Sequence, residues 1–230
     1  MRKTLTHTIE HYLKTIYEIQ TPHERASTNT LAEALEITPA SVTGMIQKLA
    51  ATTPPLVEYE KHRGVRLTLE GEEVALEILR HHRLLELFLH QILGYSWDKV
   101  HAEADRLEHV ISEEFEAKIA EVLGDPSHDP HGDPIPQLDL SLPPASQKPL
   151  SELRPGQHAA IQRVRNSDPE FLCHLESLGL MPAVEVEVLD NSPFNGVLTI
   201  RVHGRTKDQV LGPRITSQIF VDLINHMHPG

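Results

Sequence analysis

Residues 28–50 read TNTLAEALEITPASVTGMIQKLA, and this stretch decides the fold of the N-terminal part of the chain. Apolar residues recur at helical spacing over residues 28–35 and again over residues 40–50, with a very short link between the two runs. Thr38 is typical of a helix N-cap, and the proline after it suits the first helical position. Two short helices joined so tightly predict a helix-turn-helix.

The sequence on either side of this stretch completes a winged helix-turn-helix. On the N-terminal side, residues 7–20 carry apolar side chains at helical spacing and predict a first helix. On the C-terminal side, residues 56–60 and 65–69 are rich in β-forming side chains and flank a short turn. These two runs predict a β-hairpin, which is the wing of such a fold.

The second helix of the predicted helix-turn-helix has a polar face suited to the major groove. Gly44 and the small hydroxyl side chains allow a close approach to DNA, and Gln47 can contact a base edge or a phosphate. The alternative is an ordinary three-helix unit with a solvated polar face, but the wing that follows at once favours DNA binding. The residues predicted to contact DNA are Thr38, Ala40, Ser41, Thr43, Gln47, Lys48, Lys61, Arg63 and Arg66.

The charged residues are distributed unevenly along the chain, whose net charge is −12. Residues 1–70 hold 8 Lys and Arg against 8 Asp and Glu, residues 71–124 hold 5 against 12, and residues 125–230 hold 8 against 13. The near-neutral first segment therefore permits a DNA partner despite the overall negative charge. The acidic, histidine-containing middle segment suits the loading of a metal ion.

The cysteine content and the pattern of apolar residues indicate a cytoplasmic protein. The only cysteine is Cys173, so no disulfide framework is expected, and the simplest interpretation of this residue is a small buried apolar side chain. The first twenty residues interleave charged and apolar side chains, which is not the pattern of a signal peptide. No apolar stretch approaches the roughly 20 residues needed to span a bilayer.

Potential metal ligands are concentrated near the end of the acidic middle segment. On a helix, Asp105, Glu108 and His109 share one side, because they lie at positions i, i+3 and i+4. His101 lies one turn before Asp105. A solvated helix face is the alternative, but so many ligand-type side chains at compatible spacing favour a divalent cation. A further ligand has to come from another element, and His11 on the first helix is the candidate.

Sequence motifs in consistent order carry a family resemblance. They are EHYLKTIYE (10–18), LAEAL (31–35), SVT (41–43), LTLEG (67–71), HRLLE (82–86), VH (100–101), EH (108–109) and DPHGDPIP (129–136). The chain resembles the diphtheria-toxin-repressor and manganese-transport-regulator family of metal-dependent regulators. A later region is similar to the SH3-like domain of ferrous-iron-transport A proteins, in LSELRPG (150–156), LESLGL (175–180) and IFV (219–221).

The resemblance implies two metal sites. The residues that match the family's primary site are His11, Asp105, Glu108 and His109, and those that match its ancillary site are His82, Glu86 and His101. In some members the second site uses residues that match Glu86, Asp129 and His131, together with a carboxylate from the SH3-like domain. In this chain the nearest match to that carboxylate is Asp168. The alternative for Asp129 and His131 is that they lie in a solvated linker. Iron-type members have Met and Cys at the positions of His11 and Asp105, and manganese-type members have Asp and Glu there. Mn(II) is the expected effector, with Fe(II) as the alternative.

The expected architecture is a multi-domain α+β chain. The predicted domains are a winged helix-turn-helix (1–70), a helical metal-binding and dimerisation domain (71–136), a linker (137–149) and an SH3-like small β-barrel (150–230). Pro, Asp and Gly predominate over residues 124–149, which predicts an extended segment on the surface. Within the last domain the pattern predicts strands over residues 159–164, 183–189, 196–203 and 219–221, and one helix over residues 169–178.

The expected function is metal-dependent transcriptional regulation of metal-homeostasis genes, with Mn(II) or Fe(II) enabling a dimer to bind its operator. The resemblance implies a homodimer that binds a palindromic duplex, with neither a membrane nor a small-molecule substrate as partner. A metalloenzyme is the first rival, but no general base or nucleophile accompanies the ligand residues, and a wing has no role in one. The second rival is a metal-buffering or partner-binding protein, which predicts metal uptake without any metal-dependent DNA affinity.

Overall fold

The computed structural model describes residues 5–20, 24–192 and 194–224 of the 230-residue chain. These residues form two compact units. The first contains the described residues up to 82 together with 107–111 and 136–141. The second contains residues 83–106, 112–135 and the described residues from 142 onward. The architecture is the α+β arrangement expected from the sequence.

Three helices and a hairpin form most of the first unit. They are α1 (His7–Ile19), α2 (Thr28–Ala34), α3 (Pro39–Ala50), β1 (Val57–Glu60) and β2 (Gly64–Leu67). The predicted cap of α3 is confirmed, because Thr38 Oγ1 accepts a hydrogen bond from the backbone N–H of Ser41 at 3.3 Å. The predicted wing is confirmed as an antiparallel pair in which Glu58 lies opposite Arg66.

The core of the first unit joins the helices to the wing. Its fully buried side chains include Leu13, Ile16, Leu31, Val42, Ile46 and Val65, which come from α1, α2, α3 and β2. Burial of one apolar stripe from each helix holds α3 at a fixed angle while its opposite face stays exposed. The first helix is therefore an integral part of the winged helix-turn-helix fold rather than an appended arm.

Three further helices follow the wing. They are α4 (Leu69–Gln91), α5 (Val100–Leu107) and α6 (Glu113–Leu123). Ser112 caps the start of α6, and Gly124 ends it in a left-handed conformation at φ +75°. Among the described residues, no helix combines the length and the apolar character that crossing a bilayer would require.

The second unit contains a five-stranded antiparallel sheet in the order β6-β5-β4-β3-β7. Its elements are a 3₁₀ turn (Leu150–Glu152), β3 (His158–Val164), α7 (Pro169–Leu178), β4 (Glu185–Asn191), β5 (Leu198–Val202), β6 (Gln209–Leu211), α8 (Pro213–Thr216) and β7 (Ile219–Ile224). The predicted strands and α7 are confirmed, whereas β6 was not predicted. Three residues with only Leu211 buried are too few to give a recognisable alternation.

Two sequence-based expectations about burial are wrong. Cys173 is exposed, because the side of α7 that packs inward carries Leu172 and Leu175 instead. The segment expected to lie extended on the surface is buried in its middle, where Asp129 is 7% and His131 5% exposed.

Contacts with a tryptophan and with a strand explain why this segment is buried. Trp97, which is 1% exposed, donates from Nε1 to the carbonyl of Pro130 at 3.0 Å, and its ring stacks on His131 with centroids 5.1 Å apart. The carbonyl of His131 accepts a hydrogen bond from the backbone N–H of Val164 on β3 at 2.8 Å. The segment thus satisfies its backbone groups inside the second unit, as buried polar groups must.

Candidate metal centre

Three of the predicted primary ligands come together in the first unit. His11 is on α1, and Glu108 and His109 directly follow α5. Each offers one ligand atom, and these atoms all lie within 4.8 Å of one another. His11 is exposed, Glu108 is fully buried at 0% exposure and His109 is partly buried. We call these three residues the metal cluster.

Glu108 is held as a carboxylate by neighbouring cationic and hydrogen-bonding groups. Its Oε2 accepts a hydrogen bond from Lys14 Nζ at 2.7 Å and lies within hydrogen-bonding distance of His82 Nδ1. Burial by itself raises the pKa of Glu108, but the hydrogen bond with His82 and the charge of Lys14 outweigh it and hold the pKa below its ordinary value. The group is therefore available as an anionic ligand.

His109 is oriented by a second carboxylate. Its Nδ1 lies 2.9 Å from Glu10 Oε2, so an N–H at Nδ1 donates to Glu10 and leaves a lone pair on Nε2. Burial lowers the pKa of His109, and the nearby carboxylates Glu108 and Glu10 do not fully offset it. A neutral imidazole whose second nitrogen binds a carboxylate is the usual arrangement of a metal-bound histidine.

The geometry of the metal cluster fits a divalent cation. Glu108 Oε1 is buried without a hydrogen-bond partner among the described residues, although His109 Nε2 lies only 3.2 Å from it. Two ligand atoms about 2.1 Å from one ion and at right angles would be about 3.0 Å apart. An orphaned oxygen beside an imidazole lone pair is therefore expected of two ligands that share a cation. Two nitrogens and one oxygen, with no sulfur, suit Mn(II) or Fe(II).

Glu10 and Lys14 were not predicted from the sequence. Both lie on α1, immediately before and three residues after His11. The available signal was their i, i+4 spacing, which places a carboxylate and an ammonium group on one face of the helix that carries His11. A partner for either group on another element is not visible in one sequence, because it depends on tertiary packing.

The residues of the predicted ancillary site each contact another ligand-type side chain within their own unit. Within the second unit, His101 Nδ1 lies 2.9 Å from Glu86 Oε1, and His101 Nε2 lies 3.6 Å from Asp105 Oδ2. Within the first unit, His82 contacts Glu108. Asp105 as a primary ligand and His82 as an ancillary ligand stay predictions.

The alternative second site is not brought together. No ligand group found among the described residues includes Asp129, His131 or Asp168. Asp129 Oδ1 accepts from the backbone N–H groups of His131 and Asp133, and burial together with the nearby charge of Glu86 raises its pKa well above the ordinary value. Asp168 caps α7 by accepting from the N–H of Phe171. This ligand set stays a prediction.

The predicted DNA-contacting face of α3 is solvent-exposed. The exposed residues are Thr38, Ala40, Ser41, Gln47 and Lys48, while Thr43 is partly buried and bonds the carbonyl of Pro39. On the wing, Lys61, Arg63 and Arg66 are exposed. Arg66 pairs with Glu58 at 2.7 Å and Arg63 with Glu60 at 2.7 Å, so both arginines already face carboxylates of the same hairpin.

Family models match almost the whole chain. Residues 4–65 match the iron dependent repressor N-terminal DNA binding domain. Residues 68–137 match the iron dependent repressor metal binding and dimerisation domain, and residues 148–223 match the FeoA domain.

Individual relatives and solved structures agree with these matches. The iron-dependent repressor IdeR of Mycobacterium leprae is 32% identical over 209 residues, covering 85% of this chain and 89% of the relative. The diphtheria toxin repressor of Corynebacterium efficiens is 33% identical over 198 residues, covering 82% and 85%. A manganese-dependent transcriptional repressor in complex with manganese is 34% identical with a TM-score of 0.85, covering 94% of this chain and 100% of that one.

The manganese regulator SloR has a similar structure, at 30% identity and a TM-score of 0.76, covering 94% and 98%. The shared sequence runs through the DNA-binding, metal-binding and FeoA domains alike. The matches thus place a DNA-binding domain and a metal-binding and dimerisation domain in one chain. The chain belongs to the iron-dependent repressor family of metal-dependent, DNA-binding transcriptional regulators, which are dimeric repressors and not enzymes.

Proposed function

We propose that this repressor is switched by Mn(II), with Fe(II) as the alternative, through His11, Glu108 and His109. The observation that carries the proposal is the metal cluster itself, because it joins α1, part of the DNA-binding fold, to a segment that lies far from α1 in sequence. Asp105 is proposed as a fourth ligand on its spacing from Glu108. Glu86 and His101 are proposed to support a second, ancillary ion.

The side chains of the metal cluster couple the binding of a metal ion to the position of α1. A bound cation supplies positive charge beside Glu108 and a fixed coordination geometry. His11 is exposed on α1, so drawing its imidazole towards Glu108 and His109 fixes that helix against residues 107–111. Since α1 shares its core with α3, the orientation of the recognition helix follows. The protein then has two arrangements, one with α1 fixed against residues 107–111 and one with α1 not fixed. The metal can shift the population towards the first only by as much as it binds that arrangement more tightly.

The proposal extends to the assembly on DNA and to its setting in the cell. Two protomers would place their α3 helices in successive major grooves of a palindromic operator, with half-sites one helical turn, about 34 Å, apart. The regulated genes are proposed to serve metal homeostasis, and the compartment is proposed to be the cytoplasm. The proposed domain boundaries are 1–70, 71–136, 137–149 and 150–230.

Metal-dependent DNA binding tests this proposal. We expect Mn(II) to increase the affinity for a duplex selected from a random library by at least about tenfold, and to do so at least as fully as Fe(II) under anaerobic conditions. His11→Met should shift the preference towards Fe(II), because a thioether is softer than an imidazole. Fluorescence anisotropy measures the affinity, and light scattering should give a dimer.

The matched control for this experiment is His174→Met, which changes an exposed histidine on α7. It should leave the response to both metals unchanged. Activation by Fe(II) but not by Mn(II), or activation that does not depend on His11, would contradict the proposed switch. Metal uptake without any change in DNA affinity would point to a metal-buffering protein instead.

The carboxylates of the wing should restrain DNA binding. Glu58 Oε2 pairs with Arg66 and also lies 3.3 Å from Nη2 of Arg25. A DNA phosphate therefore has to compete with Glu58 for both arginines. We expect Glu58→Gln to tighten DNA binding by about threefold to tenfold at low salt, because a negative charge is removed and Arg66 is released. Glu121→Gln, which breaks the exposed pair with Lys118, is the control for charge alone. Weaker binding would mean that Glu58 instead orients Arg66 for its phosphate.

A further inference from the structure

A buried lysine lies beside the metal cluster. Lys14 on α1 is 3% exposed, and its Nζ donates to Glu108 Oε2 at 2.7 Å and lies 3.0 Å from His82 Nδ1. Lysine is almost never buried to this extent unless its charge is paired. The ammonium group is therefore held in place by the same carboxylate that belongs to the metal cluster.

The two oxygens of Glu108 serve different partners. Oε2 faces Lys14 and His82, whereas Oε1 has no hydrogen-bond partner among the described residues and faces His109 Nε2 at 3.2 Å. A carboxylate has enough lone pairs to accept from a cation at each oxygen. Glu108 is thus arranged as a bridge between a cation on its Lys14 side and a cation on its His109 side.

The Lys14 side of this bridge carries ligand atoms suited to a metal. His82 Nδ1 and Glu108 Oε2 are an imidazole nitrogen and a carboxylate oxygen in contact, which is a donor pair for Mn(II), Fe(II) or Zn(II). The ammonium nitrogen of Lys14 contacts both atoms. An ammonium group and a metal ion satisfy the same requirement, a positive charge next to a buried carboxylate.

We propose that the Lys14 ammonium group takes the place of a second metal ion on the His82 side of Glu108, so that the metal cluster holds a single ion. The inference rests on the proposed ligands His11, Glu108 and His109. Lys14 is then a specificity-determining residue. It fixes the number of ions at Glu108, and its charge weakens the affinity for the one ion that binds.

The first test removes the charge of Lys14. In the full chain, Lys14→Met should bind Mn(II) at least about tenfold more tightly than the wild type, because a fixed positive charge beside the ion is lost. Its metal-free form should melt at a lower temperature, since Glu108 loses a buried cationic partner and keeps His82 at Oε2. Equilibrium titration followed by the electron paramagnetic resonance (EPR) signal of free Mn(II) gives affinity and stoichiometry. Lys118→Met, on an exposed lysine of α6, is the control.

The second test replaces the ammonium group by a carboxylate. Lys14→Glu should bind one additional Mn(II) ion, and its EPR spectrum should show exchange coupling through the shared Glu108. The wild-type chain should give an uncoupled Mn(II) spectrum. A coupled spectrum in the wild type overturns the proposal without any variant, and so does a folded Lys14→Met that binds Mn(II) with unchanged affinity and number.

Failure of this inference is distinguishable from failure of the proposed function. His109→Ala should lose one Mn(II) equivalent if the metal cluster binds the ion at all. If His109→Ala loses one Mn(II) equivalent while the Lys14 variants bind Mn(II) with the affinity and number of the wild type, the proposed ligands are supported and the role of Lys14 is overturned. If His109→Ala keeps its full complement of Mn(II) with unchanged affinity, the proposed ligands fail first.

Discussion

His109→Ala is expected to lower the affinity for Mn(II) by about a hundredfold or more and to return DNA binding to the level of the metal-free protein. The estimate follows from the role of the side chain, because even residues that only support a metal ligand contribute tenfold to a hundredfold in affinity. His109 provides the Nε2 lone pair that lies beside Glu108, and its Nδ1 forms the hydrogen bond with Glu10. Anisotropy measured with and without Mn(II) reports the loss.

The fold of this variant should survive, which makes it a better test than a change at Glu108. Truncating Glu108 would leave the buried Lys14 without its carboxylate, and breaking a buried ion pair in this way costs about 3–5 kcal/mol. His174→Ala is the control, since it removes an exposed imidazole of α7. Metal-activated DNA binding that persists in His109→Ala would show that the switch lies elsewhere.

The parts of the fold set by local physical chemistry could be predicted from the sequence. Thr38 and the proline after it specify the start of α3 because capping and a fixed φ act within one turn. The wing and α7 follow from short-range periodicity and turn residues. What could not be predicted is the burial of residues 129–135, since proline and aspartate are typical of exposed segments and their contacts with Trp97 are long-range.

The residues in and around the metal cluster also fall into two groups, those that local spacing predicts and those whose roles depend on long-range contacts. Helical spacing predicted that Glu108 and His109 lie together, and His11 was predicted as a ligand on a second element, supported by the family resemblance. Glu10 and Lys14 were missed because their roles arise from charges that meet only after folding. The contact of His82 with Glu108 and the contact of His101 with Glu86 are likewise set by packing rather than by spacing.

The buried segment depends on one glycine that no other residue can replace without displacement. Gly132 has φ +86°, and a Cβ at this position would lie 1.8 Å from the carbonyl oxygen of Gln162 and 2.8 Å from Cα of Arg163. Gln162 lies at the irregularity in the pairing of β3 with β7. The backbone of the segment therefore fits against an irregular part of the strand, directly after the hydrogen bond between Val164 and the carbonyl of His131.

Gly132→Ala is expected to lower the melting temperature by about 10 °C. A left-handed conformation costs a non-glycine residue about 1–3 kcal/mol, and the contact with a backbone carbonyl adds to it, since neither backbone can yield cheaply. Gly156→Ala is the matched control, because Gly156 has a similar φ of +82° but nothing within 4 Å of the added Cβ. It should lose only about 3 °C. Trp97, the single tryptophan, reports the transition by fluorescence. Equal losses in the two variants would mean that strain alone, and not the close approach to Gln162, fixes this position.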